Sequence, residues 1–272
     1  MPCSKTLLIG NRLVLTLALF APGFEVSSEA QPQPAEKETA SVDTAEAPTL
    51  ADARDWFMEG YYQKATDAYV MLAEEPDSRF QAELGLAGVR LQTGQYQEAI
   101  DGLLALQGEE SAEWHYALAR AYRLVGRYQE ALDRARAAIG MVEDHAAARH
   151  LTASMLEELG RREEAIEAYK WFDRQLVERT ELKPDARWIT HTAQGFMRYS
   201  VLTQAKDLPY RTNHVLNNML VEAYGRLDRS YWPARIAAAD LLRGKYNNSE
   251  DDGSVSDYRA ALRINGNLPQ AH

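Results

Sequence analysis

The chain has 272 residues, 46% apolar and 26% charged, with a formal net charge of −10 and a pI near 5.2. That composition is of a folded water-soluble body, long enough for one or two domains or one repeat array. The acidic balance argues against nucleic acid as a partner, because phosphate contact needs a basic footprint.

The first segment has the pattern of an export signal. Lys5 and Arg12 carry positive charge, "LVLTLALF" from Leu13 to Phe20 is apolar, and Pro22 and Gly23 end the run. Ser28 and Ala30 supply small residues at cleavage spacing, so residues 1–30 are expected to be removed before Gln31. The apolar run alone is shorter than the roughly 20 residues a bilayer span needs. An uncleaved anchor is the alternative, since "TLLIG" lies just upstream, but Asn11 and Arg12 interrupt the extension. Cys3, the one cysteine, lies in this segment, so the mature chain holds neither disulfides nor thiolate metal sites. The expected location is across the inner membrane, in the periplasm or cell envelope. Membrane contact is expected only through the signal, were it retained.

Residues 31–48, "QPQPAEKETASVDTAEAP", hold three prolines and no aromatic residue. Such a stretch buries too little apolar surface to offset its ordering entropy and is expected to be a disordered linker.

A phrase then recurs: "EGYYQKAT" at 59–66, "TGQYQEAI" at 93–100, "VGRYQEAL" at 125–132 and "LGRREEAI" at 159–166. Gly60, Gly94, Gly126 and Gly160 follow one another at steps of 34, 32 and 34 residues. Ala65, Ala99, Ala131 and Ala165 each stand five after their glycine, and Ala53, Ala87, Ala119 and Ala153 each stand seven before it. Tyr62, Tyr96 and Tyr128 stand two after, and in the fourth unit Arg162 takes that place, which predicts looser packing there. Apolar residues at helical spacing flank each glycine, as Leu118 and Tyr122 do before Gly126 and Leu132, Ala135 and Ile139 after it. Each unit is therefore predicted to be two helices joined at a glycine that stops the first in a left-handed conformation. The alanines let the helices cross closely, the tyrosines are expected to wedge between neighbours, and stacking buries faces that one pair leaves bare.

These residues resemble the tetratricopeptide repeat family, whose units are 34-residue helix pairs. The resemblance implies an all-α fold, a right-handed superhelical array of antiparallel helix pairs, with four units over 49–180. Beyond it, Tyr169, Phe172 and Leu176 prolong the fourth unit as an apolar stripe, and Pro184–Asp185 mark a new start. "RWITHTAQGFMRYSVL" and "RTNHVLNNMLVEAY", the latter with Val215, Leu216, Leu220 and Ala223 in register, form an irregular enlarged pair over 181–230. A further unit over 231–272 begins with a helix from Pro233 to Gly244 and continues with "DYRAALRINGNLPQAH". Its final "LPQAH" reads as the opening of another pair, so this unit is expected to be truncated and the chain to be the N-terminal part of a longer protein.

No nucleotide-binding glycine loop, H-E-x-x-H or G-x-S-x-G occurs, so no catalysis, cofactor or metal is expected and no small-molecule substrate is indicated. His145 and His150 are five apart and do not share a face as a zinc pair would. His115 stands beside Trp114, and His191 and His214 are isolated in sequence, so each histidine is assigned a structural or surface role. Glu250–Asp257 lacks the ligand spacing of a calcium loop, and Asn247-Asn248-Ser249 fits a glycosylation acceptor.

What the resemblance leaves is a concave surface lined by each unit's first helix. By position it takes Leu84, Gly88 and Leu91 from unit two. Unit three supplies Glu113, Tyr116, Arg120 and Arg123, and unit four His150, Ser154 and Glu157. A carboxylate clamp of lysines and asparagines, which part of the family carries, is not expected, because Leu84, Gly88 and Tyr116 occupy its places. Tyr116, Arg120, Arg123, His150, Ser154 and Glu157 are the candidate partner-binding residues, with an acidic or aromatic peptide as the fitting ligand. A solvated face is the plain alternative, with Arg123 paired to Glu157 across adjacent units and the arginines turned toward Glu113 and Glu157. The expected function is an exported scaffold that binds a protein or peptide. The alternatives are the non-catalytic arm of a larger exported enzyme and a cell-envelope assembly factor.

Overall fold

A computed structural model describes residues 47–106, 108, 110–178, 183–203, 210–246, 253–268 and 271. The signal expected over 1–30, most of the linker expected over 31–48, the glycosylation acceptor at Asn247 and the side chain of His214 lie outside the described residues.

Among the described residues there are twelve α-helices and no strand. The first four pairs are α1 (Leu50–Met58) with α2 (Tyr62–Ala73), α3 (Arg79–Gln92) with α4 (Tyr96–Leu104), α5 (Ala112–Leu124) with α6 (Tyr128–Met141), and α7 (Ala146–Glu158) with α8 (Arg162–Glu178). The turn glycines between partners, Gly60, Gly94, Gly126 and Gly160, all have φ between +74° and +85°. A side chain there would be strained, which is why the glycine recurs. The eight alanines of the two repeating tracks are buried, none more than 1% exposed, at the crossings where a larger group would not fit. Several helix starts, though not those of α2, α3, α4 and α6, are fixed by side chains. Thr49 and Asp52 form a reciprocal cap on α1, and the Ser111 hydroxyl accepts from the Trp114 backbone N–H on α5.

The tyrosine track behaves unevenly. Tyr62 and Tyr96 are half-buried, but Tyr128 is exposed and does not wedge between helices. In the fourth unit Arg162 Nη2 donates to the Leu202 carbonyl at 3.0 Å and ties α8 to the end of the next helix.

That next helix, α9 (Ala186–Leu202), starts at Asp185, whose carboxylate accepts from the Trp188 N–H. Gly195 on α9 faces the Phe172 ring of α8 so closely that an added Cβ would overlap it. Its partner α10 (Tyr210–Glu222) runs into a π turn at Ala223–Leu227. Leu216, Leu220 and Ala223 are buried as their register requires. Val215 is 45% exposed, because it lies at the edge of that stripe. The last pair is α11 (Trp232–Tyr246) with α12 (Ser254–Ile264). The helix expected to close at Gly244 continues to Tyr246; a single glycine costs a helix only about 1 kcal/mol, which packing overrides.

One apolar core runs through the pairs from Ala87 on α3 to Leu241 on α11, and a smaller one joins α1, α2 and α3. The odd-numbered helices α1, α3, α5, α7, α9 and α11 each pack on the next odd one, so together they line one continuous inner face. The two ends of this array touch. Arg54 on α1 pairs with Asp228 after the π turn, Asn265 Nδ2 donates to the Tyr62 hydroxyl at 3.0 Å, and Asn267 Nδ2 donates to the Gly60 carbonyl at 3.3 Å. Asn265 is 1% exposed, so the turn after α12 is packed onto the first unit's glycine turn.

Candidate functional site

The inner face of α5 presents Glu113, Tyr116, Arg120 and Arg123 at spacings of three, four and three residues, the repeat of one helical stripe. On α7 the corresponding stripe carries His150, Ser154 and Glu157, and on α9 it carries Arg187, His191 and Arg198. The sequence reading named the first two stripes and missed the third.

At one end of the face Glu113 is engaged on both sides. Its Oε1 is 3.1 Å from His145 Nε2 and its Oε2 accepts from Arg187 at 2.9 Å. Burial opposes its charge, but the His145 and Arg187 contacts outweigh it and hold the carboxyl down to about 2. His145 Nδ1 accepts from the Ala148 N–H at the start of α7, so in the neutral ring the proton sits on Nε2, toward Glu113. The Arg187 guanidinium lies 4.7 Å from the centre of the Tyr116 ring, against which the His145 ring also packs with centres 5.2 Å apart. Burial pushes the Tyr231 hydroxyl up, and Arg187, Tyr116, Arg120 and Asp185 are the groups whose fields it feels. The loop before α11 thus brings a tyrosine to the same place.

The middle of the face holds two imidazoles. His150 Nδ1 and His191 Nδ1 are 3.3 Å apart, one donating to the other, with the rings of Tyr169 and Phe172 each 6.2 Å from His150. Burial, then the charge of Arg123, pushes His150 down to about 4. His191 is pushed well below its ordinary value by burial and then by His150, Arg187 and Arg120. Both are neutral near pH 7. Two histidines this close could span a metal ion. Three guanidiniums oppose one here, and among the described residues no group of three or more metal-binding side chains forms. His191, isolated in sequence, is therefore the neighbour of His150.

The far end is ion-paired, but not as expected. Arg123 pairs with Glu158 and not Glu157, and Glu157 pairs with Arg198 of α9. Each pairing joins adjacent units, displaced by one residue because the longer α9 supplies its own arginine. Ser154 turns its hydroxyl back to the Leu151 carbonyl at 2.9 Å, and Leu91 is buried in the core. Arg187, rather than Arg120 or Arg123, satisfies Glu113. This leaves Arg120. It is half-buried, its guanidinium 5.8 Å from the Tyr116 ring centre, and no carboxylate among the described residues pairs with it.

A second hollow, of about 370 Å³, opens between α5 and α6 at Tyr122, Glu130 and Arg134. Its cation is already stacked 5.2 Å from the centre of Trp114, so it offers less than the inner face.

Consecutive helix pairs, glycine turns in left-handed conformation and a shared inner face define a helical solenoid protein. The solenoid is of the tetratricopeptide type. The Cut9–Hcn1 hetero-tetramer of the APC/C superposes with a TM-score of 0.52 at 14% identity, over 79% of this chain and 38% of that one. MamA matches with a TM-score of 0.39 at 17% identity, over 78% of this chain and 93% of that one. A tetratricopeptide repeat protein from Parabacteroides merdae gives 0.41 and 13%, over 79% and 91%. The chain therefore spans little more than a third of the Cut9–Hcn1 chain it matches. No family model and no curated protein matches the sequence.

Proposed function

We propose that this protein is an interaction scaffold whose inner face binds an extended, acidic segment of another protein. One observation carries the reading: Arg120, a half-buried guanidinium without a carboxylate partner, stands beside Tyr116 in the middle of a face where the other arginines are paired. An unpaired cation flanked by an aromatic ring is a place where a partner's carboxylate gains more than water offers, and such residues dominate binding energy at interfaces. The remaining inner-face ion pairs fix the geometry of the helices rather than attract a ligand.

The test is a pull-down from envelope extract with the wild type and with Tyr116→Ala/Arg120→Ala, after circular dichroism has shown equal helical content. Loss of a specific partner in the variant is expected. An unchanged set of captured proteins places binding elsewhere.

We further propose that the scaffold works outside the cytoplasm, on the strength of Lys5, Arg12, the Leu13–Phe20 run and the Ser28/Ala30 spacing. The intact mass from an exporting host is expected to correspond to a chain starting at Gln31; a membrane-retained full-length chain contradicts this.

A further inference from the structure

The two imidazoles at the centre of the inner face have no structural task that demands histidine. They touch each other through Nδ1 at 3.3 Å, cap no helix and pair with no carboxylate among the described residues. Two neutral amides could fill the same space. What imidazoles add is the capacity to take a proton.

We propose that the His150–His191 pair and Arg120 form a proton-coupled carboxylate subsite: an acidic side chain of the partner binds beside Arg120, and the imidazole pair takes up one proton as it does so. This rests on the reading of the inner face as the binding surface and adds its chemistry.

The surroundings set the sign. From α5, Arg120 and Arg123 bring positive charge, the latter balanced by Glu158, and from α9 Arg187 does, balanced by Glu113. From α7 His145 faces the same carboxylate, and Glu157 is spent on Arg198. Tyr169 on α8 and Tyr231 before α11 stay protonated, because burial raises both hydroxyls. The face thus carries one unbalanced guanidinium, Arg120, beside two imidazoles that burial first, and the nearby charges second, hold neutral at pH 7. A carboxylate placed there supplies the missing negative charge and moves the imidazoles back toward their ordinary range near 6.5.

The proton balance closes with one solvent proton. In the neutral pair one ring donates its Nδ1–H to the other ring's Nδ1, so the donor ring keeps a bare lone pair on Nε2. The incoming proton lands on that nitrogen. The ring becomes an imidazolium that still donates through Nδ1, and the carboxylate remains ionised. The complex is then favoured as pH falls from 7 toward 5, above the range where a glutamate side chain is itself protonated.

The probe is tetraglutamate, with tetraglutamine as the neutral control, bound to the full chain and followed by calorimetry in buffers of different ionisation heat. At pH 5.5 the expected uptake is close to one proton per tetraglutamate, and affinity rises by about tenfold in all between pH 7 and 5.5. His150→Asn/His191→Asn is expected to abolish the uptake and flatten the pH response. Because that variant could fold poorly, the imidazole titrations are also followed by NMR in the wild type. With tetraglutamate present the pair should take up its proton near the ordinary 6.5, against about 4 for His150 without it. Uptake near zero, or equal uptake in the double variant, overturns the subsite. If tetraglutamate fails to bind while Tyr116→Ala/Arg120→Ala still loses its partner, the subsite is wrong and the inner-face reading stands. If both fail, both readings fall.

Discussion

Histidines held neutral by burial make stability depend on pH, and the sign can be worked out. In the unfolded chain they titrate near 6.5, whereas in the fold His150 is pushed down to about 4 and His191 well below its usual range. Their contribution is complete above pH 6.5 and is lost as pH falls toward 4, because the unfolded chain binds protons the folded chain refuses. His115, pushed down by burial and Arg134, adds to the same loss. Urea midpoints measured at pH 7, 6 and 5 should therefore fall steadily in the wild type and less steeply in His150→Asn/His191→Asn. A midpoint constant across that window contradicts the buried neutral pair. Carboxylates such as Glu113, about 2 in the fold, lose their contribution lower, between about 4.5 and 2, and do not confuse the window.

This residue pair was not legible in the sequence, and the reason is physical. In the first four units each inner-face position can be counted back from the turn glycine. The fifth unit turns at Thr203, which ends α9 without a glycine, and with the glycine went the ruler. His150 stands 10 residues before Gly160, but nothing in the sequence aligned His191 with it. Arg187 and Arg198 escaped for the same cause, and with them the true partners of Glu113 and Glu157.

At the scale of helices, the same exchange of glycine for alanine is expected to act in opposite directions at two positions. Gly195 lies where α9 crosses α8 with the Phe172 ring against its backbone. Gly195→Ala is expected to destabilise by roughly 1–3 kcal/mol, because methyl and ring overlap in a core without slack. Gly140, near the end of α6, has nothing within 4 Å of an added Cβ. There Gly140→Ala is expected to stabilise by roughly 0.5–1 kcal/mol, through helix propensity alone. Denaturant unfolding of the two variants reads the difference directly; equal shifts would mean that the α8–α9 crossing is misplaced. The helix pairs themselves were readable because the alanine tracks mark their crossings on both sides of each turn. Where a crossing rests on an unrepeated glycine, as at Gly195, the sequence carries no mark of it.

For the molecule as a whole, the meeting of the two ends distinguishes this array from an open stack. A linear solenoid has stability terms only between neighbours and frays from its termini. Here the Asn265–Tyr62, Asn267–Gly60 and Arg54–Asp228 contacts join units far apart in sequence. Such contacts hold the inner face to one curvature and so favour a partner segment of matching shape over flexible capture. The sequence could not foretell this closure, because the curvature accumulates from small rotations at every unit, including the irregular fifth.

The central claim is that the inner face, not the outer one, receives the partner. The most direct test places a photo-cross-linking residue at Ser154 on the inner face of α7, or at Arg136 on the exposed outer side of α6, and irradiates each in the presence of the partner recovered by the wild type. The account predicts a cross-linked product from Ser154, lost when Arg120→Ala is added, and none from Arg136. A product from Arg136 with none from Ser154 would contradict it.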